Sequence, residues 1–235
     1  IPRGLCATTL AARKDPMNVV LDTNIICSDY HMNGTGFQVL QVGLHLIPAE
    51  LKVPEVVVDE VVNRFEEDLL EAVAAVAKAD KRLRRVVPAG LVTPVAAEAV
   101  AEEVARYRDW LVEELTAMGA EILPYPDVPH KQVVARDLER KSPFKQNGAG
   151  YRDYLIWENV RGLMSGADPS IVLLTANKTD FGEGPEVAPD LRKDIPHSKS
   201  LELMLGLREF NDRYIVPKLP IAEELKARLQ AEAGL

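Results

Sequence analysis

Val19–Ile26 reads VVLDTNII, an aliphatic run broken by an aspartate, a threonine and an asparagine before it resumes. A carboxylate is costly beside a core unless something pairs with it. The opening residues suit a short, fully buried parallel strand. Asp22 then falls where that strand leaves the core. Two readings are open at this point. Asp22 caps a helix that follows, or it is one of several acids gathered round a cation. The rest of the chain has to decide between them.

Outward from this stretch, short aliphatic runs alternate with helical spacing. GFQVLQVGLHLI has a helical period and stops before Pro48, and LKVPEVVVDE holds a second short aliphatic run. VVNRFEEDLLEAVAAVAKADKRLRR reads as a long amphipathic helix. TPVAAEAVAEEVARYRDWLVEELTAMG reads as another, with Thr93 as N-cap and Gly119 as its stop. AEILPYP is a strand, HKQVVARDLERK a shorter helix, SPFKQNGAG a loop and YRDYLIWENVRGLMS a helix. SIVLLTANKTDFGEG is a strand running into a turn. LELML follows as strand or helix, then GLREFNDRYIVP and a charged terminal helix. This alternation predicts an α/β fold, a three-layer sandwich with a central parallel sheet covered on both faces. Such sheets carry their functional groups beyond the carboxyl ends of the strands. Residues 1–16 read as a flexible extension, and 17–235 as one domain with a helical elaboration at about 61–120.

Composition narrows the classes. The chain has 235 residues, of which 47% are hydrophobic and 27% charged, the profile of a globular protein with a substantial core. No apolar run approaches bilayer length, and the first residues lack the apolar centre of a secretory signal. Cys6 and Cys27 form no CxxC unit, so a cytoplasmic protein with reduced thiols and no membrane partner is expected. The net charge of −8 argues against a protein that coats nucleic acid indiscriminately. Two segments are nevertheless basic. Lys78–Arg85 holds five basic residues and one acid, and Lys131–Arg152 holds Lys131, Arg136, Arg140, Lys141, Lys145 and Arg152 against Asp137 and Glu139. Either alone reads as a solvated helix face. Together they leave room for phosphate contact at one place.

The acids carry the chemistry. Asp22 ends one strand, and Thr175, Asn177 and Asp180 follow another. Glu60 and Asp153 fall near helix starts. If these ends share one edge of the sheet, four carboxylates converge. Their repulsion then calls for a cation. Oxygen-only donors select a hard ion, Mg²⁺ or Mn²⁺, one of whose waters can attack a phosphodiester. Each residue also has an ordinary structural role: Glu60 and Asp153 favour a helix dipole, with Asp59 rivalling Glu60. Asp180 suits a turn, and Thr175 and Asn177 can satisfy loop backbone.

Taken jointly and in this order, VVLDTNII, VPEVVVDEVV, GYRDYLIW and VLLTANKTDF resemble the PIN-domain family of metal-dependent ribonucleases. SPFKQNGAGYRDYLIW is similar to a larger bacterial subgroup rather than to the small toxin-type members. The resemblance implies a Mg²⁺ or Mn²⁺ site with Asp22, Glu60, Asp153 and Asp180 as catalytic acids and metal ligands. Asn24, Thr175 and Asn177 would support them. It also implies hydrolysis of RNA, single-stranded because a PIN-like cleft is narrow. Lys145 and Arg152, and less directly Arg140 and Lys141, are the candidates for RNA contact. The ninety-three positions from Glu60 to Asp153 exceed those of a compact PIN domain, and two helices fill the surplus. One rival is an aspartyl-phosphate phosphatase. Its DxD arrangement needs a second acid where this chain has Asn24, which cannot move a proton. The other is an inactive or regulatory binding module, a homodimer or a toxin-type partner protein. An exposed AVAAVAK face would favour it.

Overall fold

A computed structural model describes residues 17–87, 95–166, 170–177, 179–183 and 186–220. In chain order the elements are β1 (Met17–Leu21), α1 (Thr23–Cys27), α2 (Thr35–Gly43), β2 (Ala49–Pro54), α3 (Glu55–Leu83) and α4 (Ala97–Ala117). They continue with β3 (Glu121–Leu123), α5 (His130–Leu138), α6 (Tyr151–Met164), β4 (Ser170–Leu174), β5 (Gly182–Glu183) and β6 (Glu186–Val187). α7 (Pro189–Arg192), β7 (Ser200–Met204) and α8 (Leu207–Phe210) follow, and a π turn at Asn211–Ile215 leads into a 3-10 turn at Val216–Lys218.

Five strands form one parallel sheet in the order β3-β2-β1-β4-β7, and β5 and β6 make a separate antiparallel pair. β1 is central because its side chains are apolar on both faces. Val19, Val20 and Leu21 are fully buried, as are Leu173 and Leu174 of β4 opposite Val20 and Leu21. Strands of this kind are stable only when helices cover both faces, giving an α/β sandwich. α3 packs on β2, α6 on β4, and the two helices touch each other. Tyr154, Ile156, Trp157 and Val160 of α6 are completely buried. No helix among the described residues is long and apolar enough to cross a membrane.

The second aliphatic run divides between a strand and a helix. Pro54 ends β2, and α3 starts at once with Glu55, so Val56–Val58 are helical. A short valine run fits a buried strand and a buried helix turn equally, and here the proline sets the boundary. Glu60 consequently sits in the second turn of α3, not at its start. α4 begins at Ala97 with Ala96 as cap. Thr93, proposed for that role, lies outside the described residues, as do residues 1–16 and the charged terminal segment 221–235. Gly119 does stop α4. It takes φ +81°, and the amides of Gly119 and Ala120 return to the carbonyls of Thr116 and Leu115 at 2.9 Å each. LELML is strand β7. The AVAAVAK stretch of α3 is largely exposed, with Val76 at 45% and Leu70 before it at 48%.

Candidate active site

β1 hands Asp22 to the carboxyl edge of the sheet. The Asp22 amide still donates to the Leu174 carbonyl at 2.9 Å, extending the β1–β4 pairing by one residue. Its side chain then caps α1, Oδ1 accepting from the Thr23 amide at 2.7 Å. The capping reading of this residue therefore holds. It is a cap, and it also faces a cavity of about 250 Å³ lined by Glu60, Asp153 and Asp180.

Two polar side chains fix Asp22. Thr175, fully buried just after β4, donates its hydroxyl to Oδ2 at 2.6 Å and accepts the Asn177 amide at 3.0 Å. Asn24 donates to the same Oδ2 at 2.9 Å, while its own oxygen takes the Ala176 amide at 2.7 Å. Asn24 thus laces α1 to the loop after β4. Burial pushes the Asp22 carboxyl up to about 6, with Glu60 adding to the rise, while bonds from Thr175, Thr23 and Asn24 oppose it.

Each remaining acid comes from a different element. Glu60, buried, accepts from the Thr23 hydroxyl at 3.1 Å and from Arg64 Nη2 and Nε at 2.9 and 3.2 Å. Arg152 approaches it at 3.6 Å. Its neighbour Asp59, one hundred degrees round the helix, pairs instead with Arg108 and Tyr125 outside the cavity. Asp180, also buried, receives Lys145 Nζ at 2.5 Å on Oδ1 and the Asn177 side-chain amide on Oδ2. Asp153, in the first turn of α6, has no hydrogen bond or ion pair among the described residues. Burial pushes its carboxyl up to about 7, and Asp180, Asp22 and Glu60 push the same way against Lys145.

The loop before α6 determines where Asp153 stands. Gly150 caps the helix at φ +118°, and a Cβ there would lie 2.4 Å from the Pro143 carbonyl oxygen. Only glycine permits that approach. Phe144, buried against Tyr154, anchors the loop, and Lys145 closes a turn through its amide to Ala149 and its carbonyl to Gly148.

All four acids, with Asn24, Asn177, Lys145 and Arg152, line the one cavity, and Thr175 supports it from beneath. Arg140 and Lys141 do not line it. They pair with Asp137 and Glu139 of their own segment. Sequence reasoning missed Thr23 and Arg64. Arg64 was signalled by its place four residues after Glu60, on the same helix face. A larger cleft of about 530 Å³ elsewhere is lined by Asp127 and by two acids already paired, Glu158 with Arg161 and Asp194 with Arg136.

The donor set facing the cavity is carboxylate oxygen, suited to a hard cation, and the unpartnered Asp153 is the group that such an ion would satisfy. Among the described residues, no three Asp, Glu, His or Cys side chains form a ready-made cage. The cations of Lys145, Arg64 and Arg152 stand among the acids instead. The family model for the PIN domain matches residues 19–181, well over half of the chain and all four acids. Neither the curated proteins nor the solved structures compared with the chain gave a match.

Proposed function

Since the chain belongs to the PIN-domain family, whose members are generally nucleases, we propose that it is a Mg²⁺- or Mn²⁺-dependent endoribonuclease acting on single-stranded RNA. The observation that supports this reading is the single cavity lined by Asp22, Glu60, Asp153 and Asp180, contributed by four separate parts of the fold. When bound, the ion would polarise the scissile phosphate and lower the pKa of the attacking water. Asp22 is the leading ligand, because three hydrogen bonds hold its carboxylate in one orientation. Asp153 and Asp180 complete the set. Glu60, already engaged by Thr23 and Arg64, orients its surroundings from behind. Arg152 and Lys145 at the rim hold backbone phosphates, and Arg140 and Lys141 would extend that contact further along the strand. A cavity of about 250 Å³ is closer in size to the backbone of one strand than to the width of a duplex, which supports the single-stranded reading.

The test is a cleavage assay on end-labelled single-stranded RNA and DNA with EDTA, Mg²⁺ or Mn²⁺, beside Asp22→Asn. RNA fragments that require both metal and Asp22 are expected. Full activity in Asp22→Asn, or equal cutting in EDTA, would overturn the assignment. The exposure of Leu70 and Val76 favours a second role for α3 as a docking face, which concentration-dependent sedimentation would reveal.

A further inference from the structure

Three cations stand among the acids, and they are held differently. Arg64 is chelated through two nitrogens by Glu60 one turn back on its own helix, a pair made within α3. Arg152 stands 3.6 Å from Glu60 and is loosely held. Lys145 makes the closest of the contacts that join separate segments. Its ammonium sits 2.5 Å from an oxygen of Asp180, whose side chain is only 3% exposed, while the lysine side chain is 45% exposed. The neighbouring carboxylate, Asp153, has no partner among the described residues.

We propose that Lys145 is an internal counter-ion that occupies the Asp180 oxygen in the metal-free protein and yields it to the divalent ion. Its released ammonium then becomes a ligand for an RNA phosphate. The inference rests on the ribonuclease reading and adds an order to it, metal before substrate. Charge supports the exchange. With Lys145 in place, four carboxylates face three cations. With a divalent ion in its stead, two arginines and the ion balance the four acids fully. An ammonium and a divalent ion on one carboxylate oxygen repel each other, which favours release of the lysine when the ion binds. The lysine is built to leave: its backbone is pinned by the turn at Ala149 and by the buried Phe144, but four methylenes separate that anchor from the charge. The freed head group lies at the cavity rim, where a strand's backbone would pass.

Calorimetric titration of the full chain with Mn²⁺ tests this on wild type, Lys145→Met, Lys145→Arg and Arg152→Met. Lys145→Met should bind Mn²⁺ about fivefold more tightly than wild type, the strength of the ion pair it no longer competes with. Lys145→Arg should show no gain. Arg152→Met, which removes the same charge from the same rim, should gain less than Lys145→Met. In thermal melts at neutral pH, metal-free Lys145→Met should be less stable than wild type and recover more on adding Mn²⁺. A phosphorothioate-linked RNA decamer should bind Lys145→Met several-fold more weakly than wild type in Mn²⁺, and equally in EDTA. Unchanged or weaker Mn²⁺ binding in Lys145→Met would overturn the exchange, as would an equal loss of RNA binding in EDTA, and either leaves the ribonuclease reading standing. No Mn²⁺ uptake by wild type would overturn both.

Discussion

Replacing Thr175 by valine keeps the shape of a fully buried side chain and removes one oxygen. That oxygen donates to Asp22 at 2.6 Å and accepts the Asn177 amide at 3.0 Å. A hydrogen bond to a charged group contributes about 1.5–3 kcal/mol, and a neutral one about 1 kcal/mol. The Asn177 amide lies in a partly exposed loop where water replaces its acceptor, so the Asp22 bond dominates. With the Asp22 carboxyl at about 6, the bond is charged at pH 8 and neutral at pH 5. Thr175→Val should therefore lose about 2–3 kcal/mol at pH 8 and about 1 kcal/mol at pH 5. In a chain of this size that corresponds to a fall in Tm of roughly 5–10 °C and 2–4 °C. The sign is consistent with linkage, since losing a bond that favours the carboxylate raises the folded pKa further, and the deficit grows as pH rises through 6. Urea unfolding of both proteins at the two pH values measures it. An equal loss at both, or a loss below about 0.5 kcal/mol at pH 8, would refute the reasoning.

Asp22 and Asp153 are both held above the ordinary carboxylate range. The folded protein thus binds more protons than the unfolded chain between about pH 4 and 7, and its stability falls across that window. The metal-free protein should lose roughly 4 kcal/mol between pH 5 and pH 8; a flat or rising Tm in EDTA would contradict this. Gly150→Ala places a Cβ against the Pro143 carbonyl at an unfavourable φ and should cost about 2 kcal/mol. It should also weaken Mn²⁺ binding through displacement of Asp153, and calorimetry would find no such change if the loop did not set that residue. Alanine at both Lys145 and Arg152 should reduce the slope of log affinity for single-stranded RNA against log salt by about 1.4 in Mg²⁺. An unaltered slope would return both to ordinary surface residues.

The strand-then-cap character of VVLDTNII was legible because it is local. Three buried aliphatics followed by Asp–Thr–Asn can leave a sheet edge in few ways. The parallel sheet followed from the same pattern repeated at Ile171–Leu174. The choice between Asp59 and Glu60 was not legible, because it depends on the helix register, which the proline at 54 sets and the valine run conceals. Nor was the pairing of Lys145 with Asp180, or the isolation of Arg140 and Lys141 in their own segment. Basic residues spaced along one stretch look alike in sequence, and the turn at Lys145–Ala149 and the start of α6 bring only Lys145 and Arg152 to the cavity. The family relationship explains why the four acids were readable as a group although each was ambiguous alone.

The central strand has a consequence in time. β1 is synthesised well before its partner: its neighbour β4 begins about 150 residues later, and the Thr175–Asp22 bond spans 153 positions. Until the ribosome has released the chain through Asp180, the aspartate that opens the site has neither its hydroxyl partner nor its companion acids. Long-range closure of this kind is slow and comes late in folding. A growing chain therefore carries Asp22 and Glu60 past the translation machinery as scattered side chains.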